Sequence, residues 1–155
     1  MIRYMIAATA LTSGVPIAAQ SCATPPGWAK PARHVAAKAP TLRFALRSGS
    51  SAQLQLHAEP MVTVPLKKDR ARQPREFAGL AALNVAKAGK LEVALSDRAY
   101  IDLIRDGRAL TSNMHGHKGC RGVAKTLDFD VKPGLYLVQI ADARVRSIRV
   151  GFSQK

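Results

Sequence analysis

Along most of the chain, apolar residues recur at every second position. Leu42, Phe44 and Leu46 alternate with Arg43, Ala45 and Arg47; after Ser48-Gly49-Ser50, Ala52, Leu54 and Leu56 alternate with Gln53, Gln55 and His57. Period two is the spacing of a strand with one buried face, so both runs are predicted strands, and the short apolar run Met61-Val62-Thr63-Val64 is a third. Residues 77–85 form a mostly apolar run. Leu91 to Leu95 follows a Gly89-Lys90 turn, and Ala99 to Ile104 ends at Asp106-Gly107. Asp-Gly between strand-like runs predicts a hairpin, because glycine supplies the positive φ that a type I′ turn needs. Leu127, Phe129 and Val131 alternate up to Lys132-Pro133-Gly134, where a second hairpin is expected to return through Leu135 to Ile140, and Val145 to Phe152 is the final strand. Leu54, Leu56, Val93, Leu95, Ile101, Leu103, Leu127, Phe129, Leu137 and Ile140 are the expected core.

Eight or nine such strands with no sustained helical period indicate an all-β fold, a single antiparallel β-sandwich of jelly-roll or Greek-key kind over 41–155. Aromatic content of 5% leaves the core to aliphatic side chains. The segment 20–40 contains Pro25, Pro26, Pro31 and Pro40, which excludes a regular helix or a central strand. It reads as an extended Pro-rich arm, and Trp28, the single tryptophan, is expected to pack it onto the domain; stacking on a ligand is the alternative.

The first residues change the compartment. Arg3, a weakly apolar stretch from Met5 to Leu11, the Gly14-Val15-Pro16 break and the small residues before Gln20 have the form of a secretory signal peptide over 1–19. An N-terminal core helix is the competing reading, and Thr12, Ser13, Gly14 and Pro16 interrupt it. The mature chain is then expected in the periplasm or secreted, without a transmembrane segment. Cys22 and Cys120 are the two cysteines. In an oxidising compartment they are expected to pair, closing a loop of about a hundred residues, for which chain entropy gives up to ~4–5 kcal/mol. The alternative is a lipoprotein anchored at Cys22, through the poor lipobox Ala19-Gln20-Ser21-Cys22.

Lys and Arg number 24 against 10 Asp and Glu, a formal charge of +14. Outside the cytoplasm such an excess favours an anionic envelope component, lipopolysaccharide or an acidic glycan, with a protein partner as the other possibility. Lys67, Lys68, Arg70, Arg72 and Arg75 concentrate in one run that reads as a solvated loop or an anion-binding patch. No aromatic residue is interleaved there to stack bases, which disfavours nucleic acid.

Two resemblances rest on quoted residues. Gly89 to Leu95, Tyr100 to Gly107 and Pro133 to Ile140 resemble the pre-peptidase C-terminal type of bacterial β-sandwich, a group of non-catalytic accessory domains; the resemblance covers about half the mature chain. The layout of signal, Cys-bearing arm, Asp106-Gly107, His115-Gly116-His117, Cys120, Gly122, Lys125 and Pro133-Gly134 with Tyr136 is similar to a set of small secreted bacterial proteins. These are sometimes labelled homogentisate 1,2-dioxygenase. The ring-cleaving dioxygenase proper holds iron with two His and a Glu, and no corresponding motif with a Glu occurs here.

One segment concentrates candidate chemistry. His115 and His117 at strand spacing would place both imidazoles on one face, a geometry that copper or zinc accepts, with Met114 or Cys120 as a soft third ligand. A disulfide at Cys120 would remove that thiolate. The plainer reading is a Gly-rich loop whose histidines are exposed or bonded to backbone. Asp128 and Asp130 share a strand face and read as solvated rather than as a catalytic pair. Serine-nucleophile, P-loop and dinucleotide signatures are absent from the sequence. Two classes of function therefore stand: a non-enzymatic exported binding or accessory protein without a cofactor, and a metal-binding protein or small metalloenzyme using His115 and His117.

Overall fold

A computed structural model describes residues 23–66, 75–115, 120 and 122–155. The expected signal peptide, Cys22, Lys67, Lys68, Arg70, Arg72 and His117 lie outside these. Twelve strands form among the described residues: β1 (Ala32–Val35), β2 (Ala45–Arg47), β3 (Ser50–Gln55), β4 (His57–Ala58), β5 (Phe77–Val85), β6 (Gly89–Leu95), β7 (Tyr100–Arg105), β8 (Arg108–Ala109), β9 (Ser112–His115), β10 (Lys125–Val131), β11 (Gly134–Ala143) and β12 (Ser147–Gln154). A 3₁₀ turn at Glu59–Met61 is the one helical element among them.

Period two does here what it was expected to do. Leu54, Phe152, Val93 and Phe129 point from the first sheet, ordered β1-β3-β12-β6-β10-β9, into a core shared with Leu83, Leu103, Tyr136 and Ile140 of the second, ordered β2-β5-β11-β7-β8 with β4 beside β5. Fully burying each such side chain contributes about 1.5–3 kcal/mol, so the packed face between the sheets dominates stability. Nine of the ten expected core positions are buried. Leu137 is the exception, because Tyr136, Val138 and Ile140 occupy the inward phase of β11 and Leu137 faces outward against a second cluster with Val62 and Val64.

The sheets are mixed, not purely antiparallel. β1 runs parallel to β3 and β2 parallel to β5, both at sheet edges, where chain arriving from a distant crossing can add without a hairpin. The Pro-rich segment thus supplies an edge strand, as Pro31 immediately before β1 permits. Within the alternating run 42–47 only Ala45–Arg47 pairs, and Leu42 and Phe44 are exposed. The expected strand at 61–64 is replaced by the 3₁₀ turn, set by Pro60 in its first turn, and an unpaired stretch that buries Val62 and Val64.

Turn chemistry decided two hairpin expectations differently. Asp106 and Gly107 have φ of 52° and 73° and join β7 to β8, as a type I′ turn requires. Lys132-Pro133-Gly134 makes no hairpin: β10 belongs to the first sheet and β11 to the second. The Tyr136 hydroxyl holds this corner by accepting from Lys132 N and donating to Lys132 O, 2.9 Å each.

Candidate functional site

Of the residues expected to bind a metal, Met114 and the backbone of His115 are described, both on β9, and His117 lies outside the described residues. His115 lies on β9 across from Thr126, whereas Met114 lies across from Leu127 of the core-facing row and is exposed. His34 is on β1, the opposite edge of the same sheet, five strand spacings or about 24 Å away. His57 belongs to β4, and its Nε2 donates to Ala36 O at 2.8 Å. Cys120 is half-buried, and no cysteine among the described residues is free. Of the basic run, Arg75 is described and exposed.

Asp128 departs from its expected solvated state. It is 8% exposed, between Glu92 on β6 and Asn113 on β9, and the Lys155 ammonium lies 2.6 Å from Glu92 and 4.0 Å from Asp128. Asp130 is exposed, with Lys90 at 3.6 Å. The C-terminal lysine thus covers a carboxylate that strand alternation alone would leave in water.

A group of acids that the sequence does not bring together forms where the segment 59–66 crosses the second sheet. Carboxylate oxygens of Glu59, Glu76 and Asp142 lie within 4.8 Å of one another, and Glu59 is buried. The register shift in β11 between Ile140 and Ala143 turns Asp142, at φ 54°, so that its backbone N–H donates to Glu59 Oε2 at 3.3 Å. Three hard oxygen donors suit calcium or magnesium rather than copper or zinc. None of the three carboxylates is without a partner, however, and the bonds that tie Glu59 to Asp142 and to Glu76 O fix the segment on the sheet.

The outer face of the first sheet carries a different arrangement. Register places Arg33 of β1, Gln53 of β3 and Arg149 of β12 side by side. Gln53 Oε1 accepts from Arg149 Nε at 3.5 Å, and Gln53 Nε2 donates to Ser147 Oγ at 2.8 Å. Arg149 also lies over the indole of Trp28, 5.4 Å from the ring centroid, which holds the guanidinium against the sheet. Arg33, Gln53, Ser147, Arg149 and Lys30 line an open groove of about 850 Å³ with no Asp or Glu in its walls. Two guanidiniums and an ammonium around a hydrogen-bonded amide form a surface suited to an oxyanion.

Trp28 itself is buried, as expected of an anchor. Pro25 packs on Gly151, where an added Cβ would come within 2.5 Å of the proline ring, and Ser51 Oγ donates to Pro26 O at 2.8 Å. The arm therefore closes one end of this face and leaves the arginine row open at the other. Comparisons with family models, with curated proteins and with solved structures found no match to this chain. Among the described residues no helix is long and apolar enough to cross a membrane.

Proposed function

We propose that the chain is an exported, non-enzymatic β-sandwich protein of a bacterial envelope that binds a phosphate- or sulfate-bearing envelope component through the outer face of its first sheet. The observation that carries this reading is the Arg33, Gln53, Arg149 row in a groove without acidic walls. A net charge of +14 adds long-range attraction for a polyanion, and the row supplies a fixed place for its oxygens. The signal-like N-terminus supports export. Pairing of Cys22 with Cys120 belongs to the same reading, supported by the lack of a free cysteine among the described residues and by Trp28 Nε1 lying 3.7 Å from where a Cβ on Gly122 would stand. That contact brings the arm and the Cys120 segment together.

The test is retention on immobilised heparin and on lipopolysaccharide as salt is raised. The Arg33→Gln, Arg149→Gln variant is expected to elute at clearly lower salt than the parent while remaining folded, with stability reduced only by about the 0.5–1 kcal/mol of the lost Arg149–Trp28 contact. Equal retention of the two proteins contradicts the proposal.

A further inference from the structure

The basic groove does not end at β1. Arg33, His34 and Val35 also border a hollow of about 380 Å³ on the other side of that strand, between β1 at the edge of the first sheet and β2 at the edge of the second. Phe44, Leu46, Leu54 and Leu80 line it. Leu54 belongs to the main core, so the hollow reaches the interior. At its mouth Phe44 is 84% and Val35 71% exposed. Two large apolar side chains left in water beside a cleft are unfavourable unless an apolar group covers them.

We infer that the hollow and the arginine row form one site for a single-chain lipid bearing a phosphate, with the headgroup between Arg33 and Arg149 and the acyl chain in the cleft between the edge strands. This rests on the anion-binding reading above and adds the ligand class. Three features on the molecule carry it. Arg33 lines both hollows, so a cation stands where a headgroup and a chain would join. The two compartments share Arg33, His34 and Val35 and differ in the rest of their lining, with Lys30, Gln53, Ser147 and Arg149 on one side of β1 and Phe44, Leu46, Leu54 and Leu80 on the other. The apolar compartment falls within the ~300–1,000 Å³ of small-molecule sites.

Trp28 lies under Arg149, so its emission reports occupancy of the headgroup end. The full exported chain is titrated with dodecyl phosphate below its micelle concentration, with inorganic phosphate and with dodecyl maltoside. Dodecyl phosphate is expected to bind at least about 30-fold more tightly than inorganic phosphate, the effect of burying only a few methylenes, and dodecyl maltoside to bind weakly. A Phe44→Ser variant, at a position too exposed to support the fold, is expected to lose most of that advantage while keeping its retention on heparin. Equal affinity for dodecyl phosphate and inorganic phosphate, with heparin retention intact, overturns the lipid site and leaves the anion-binding reading standing. Equal binding of the maltoside and the phosphate overturns the shared site, since the charge then contributes nothing. Failure of heparin, inorganic phosphate and dodecyl phosphate alike overturns both readings.

Discussion

The outer faces of the two sheets are built to opposite ends. On the second sheet the segment 59–66 lies across β5 and β11, burying Val62 and Val64 against Leu80 and Ala141. The polar group trapped beneath it, Gln139, is fully buried and uses its amide as a backbone unit would: Oε1 accepts from Leu66 N and Nε2 donates to Leu66 O, 3.0 Å each. On the first sheet the equivalent polar residue, Gln53, bonds Arg149 and Ser147 and stays open to solvent. A covered face thus spends its amide on the fold. The open face spends it on orienting a cation, which leaves that cation available to something outside the chain.

If this contrast holds, the largest stability effect belongs to the covered face. Gln139→Leu leaves both Leu66 backbone groups without their partners, which is expected to cost about 2–4 kcal/mol, read from the midpoint of urea unfolding at unchanged slope. Next comes the closed end of the open face. Gly151→Val drives a side chain into Pro25 and is expected to cost about 1–3 kcal/mol as overpacking, with Trp28 emission shifting red as the arm lifts; an unshifted spectrum would mean that the arm is docked by something other than this contact.

The smallest effect lies at the C-terminal end. The hydrogen bond from Lys155 to Glu92 holds the lysine pKa above its usual value, against some burial and with help from the Glu92 and Asp128 charges. A raised pKa means stability fully present below the ordinary lysine value of about 10.4 and lost as pH rises through the higher one. Lys155→Met is therefore expected to cost a surface-pair increment of about 0.2–1 kcal/mol near neutral pH. Parent and variant should converge in strongly alkaline solution, and a difference that persists there would assign the effect to packing. Lys125 has the opposite sign, its pKa lowered by burial despite the Asp102 charge.

Much of the fold is legible in the sequence. Alternation located β3, β6, β7, β10 and β12, and the Asp106-Gly107 turn, because each signal is local. What failed depended on partners distant in sequence. Nothing in Lys132-Pro133-Gly134 says that the chain there leaves one sheet for the other, and nothing in Asp128 says that Lys155 will lie over it. The candidate site was less legible still. The sequence offers charges adjacent along the chain, at 67–75, and the pair His115 and His117. Arg33, Gln53 and Arg149 meet only because two strand registers align them, one of them parallel. Gln53 and Arg149 stand opposite the apolar phase of alternating runs, which the sequence shows; that Arg33 lies on a strand, and that the three meet, it does not.

The central claim, that position rather than net charge makes the arginine row bind anions, is tested most directly by a charge-matched comparison. The Arg33→Gln, Arg149→Gln protein is set beside a Lys87→Gln, Arg108→Gln protein, which loses the same charge at exposed positions outside the groove. Binding of heparin is measured for both across a range of salt. The row variant is expected to lose at least about tenfold in affinity, equivalent to about 1.4 kcal/mol, while the control stays within about threefold of the parent. Equal losses in the two variants would show that only overall charge matters and would contradict the account.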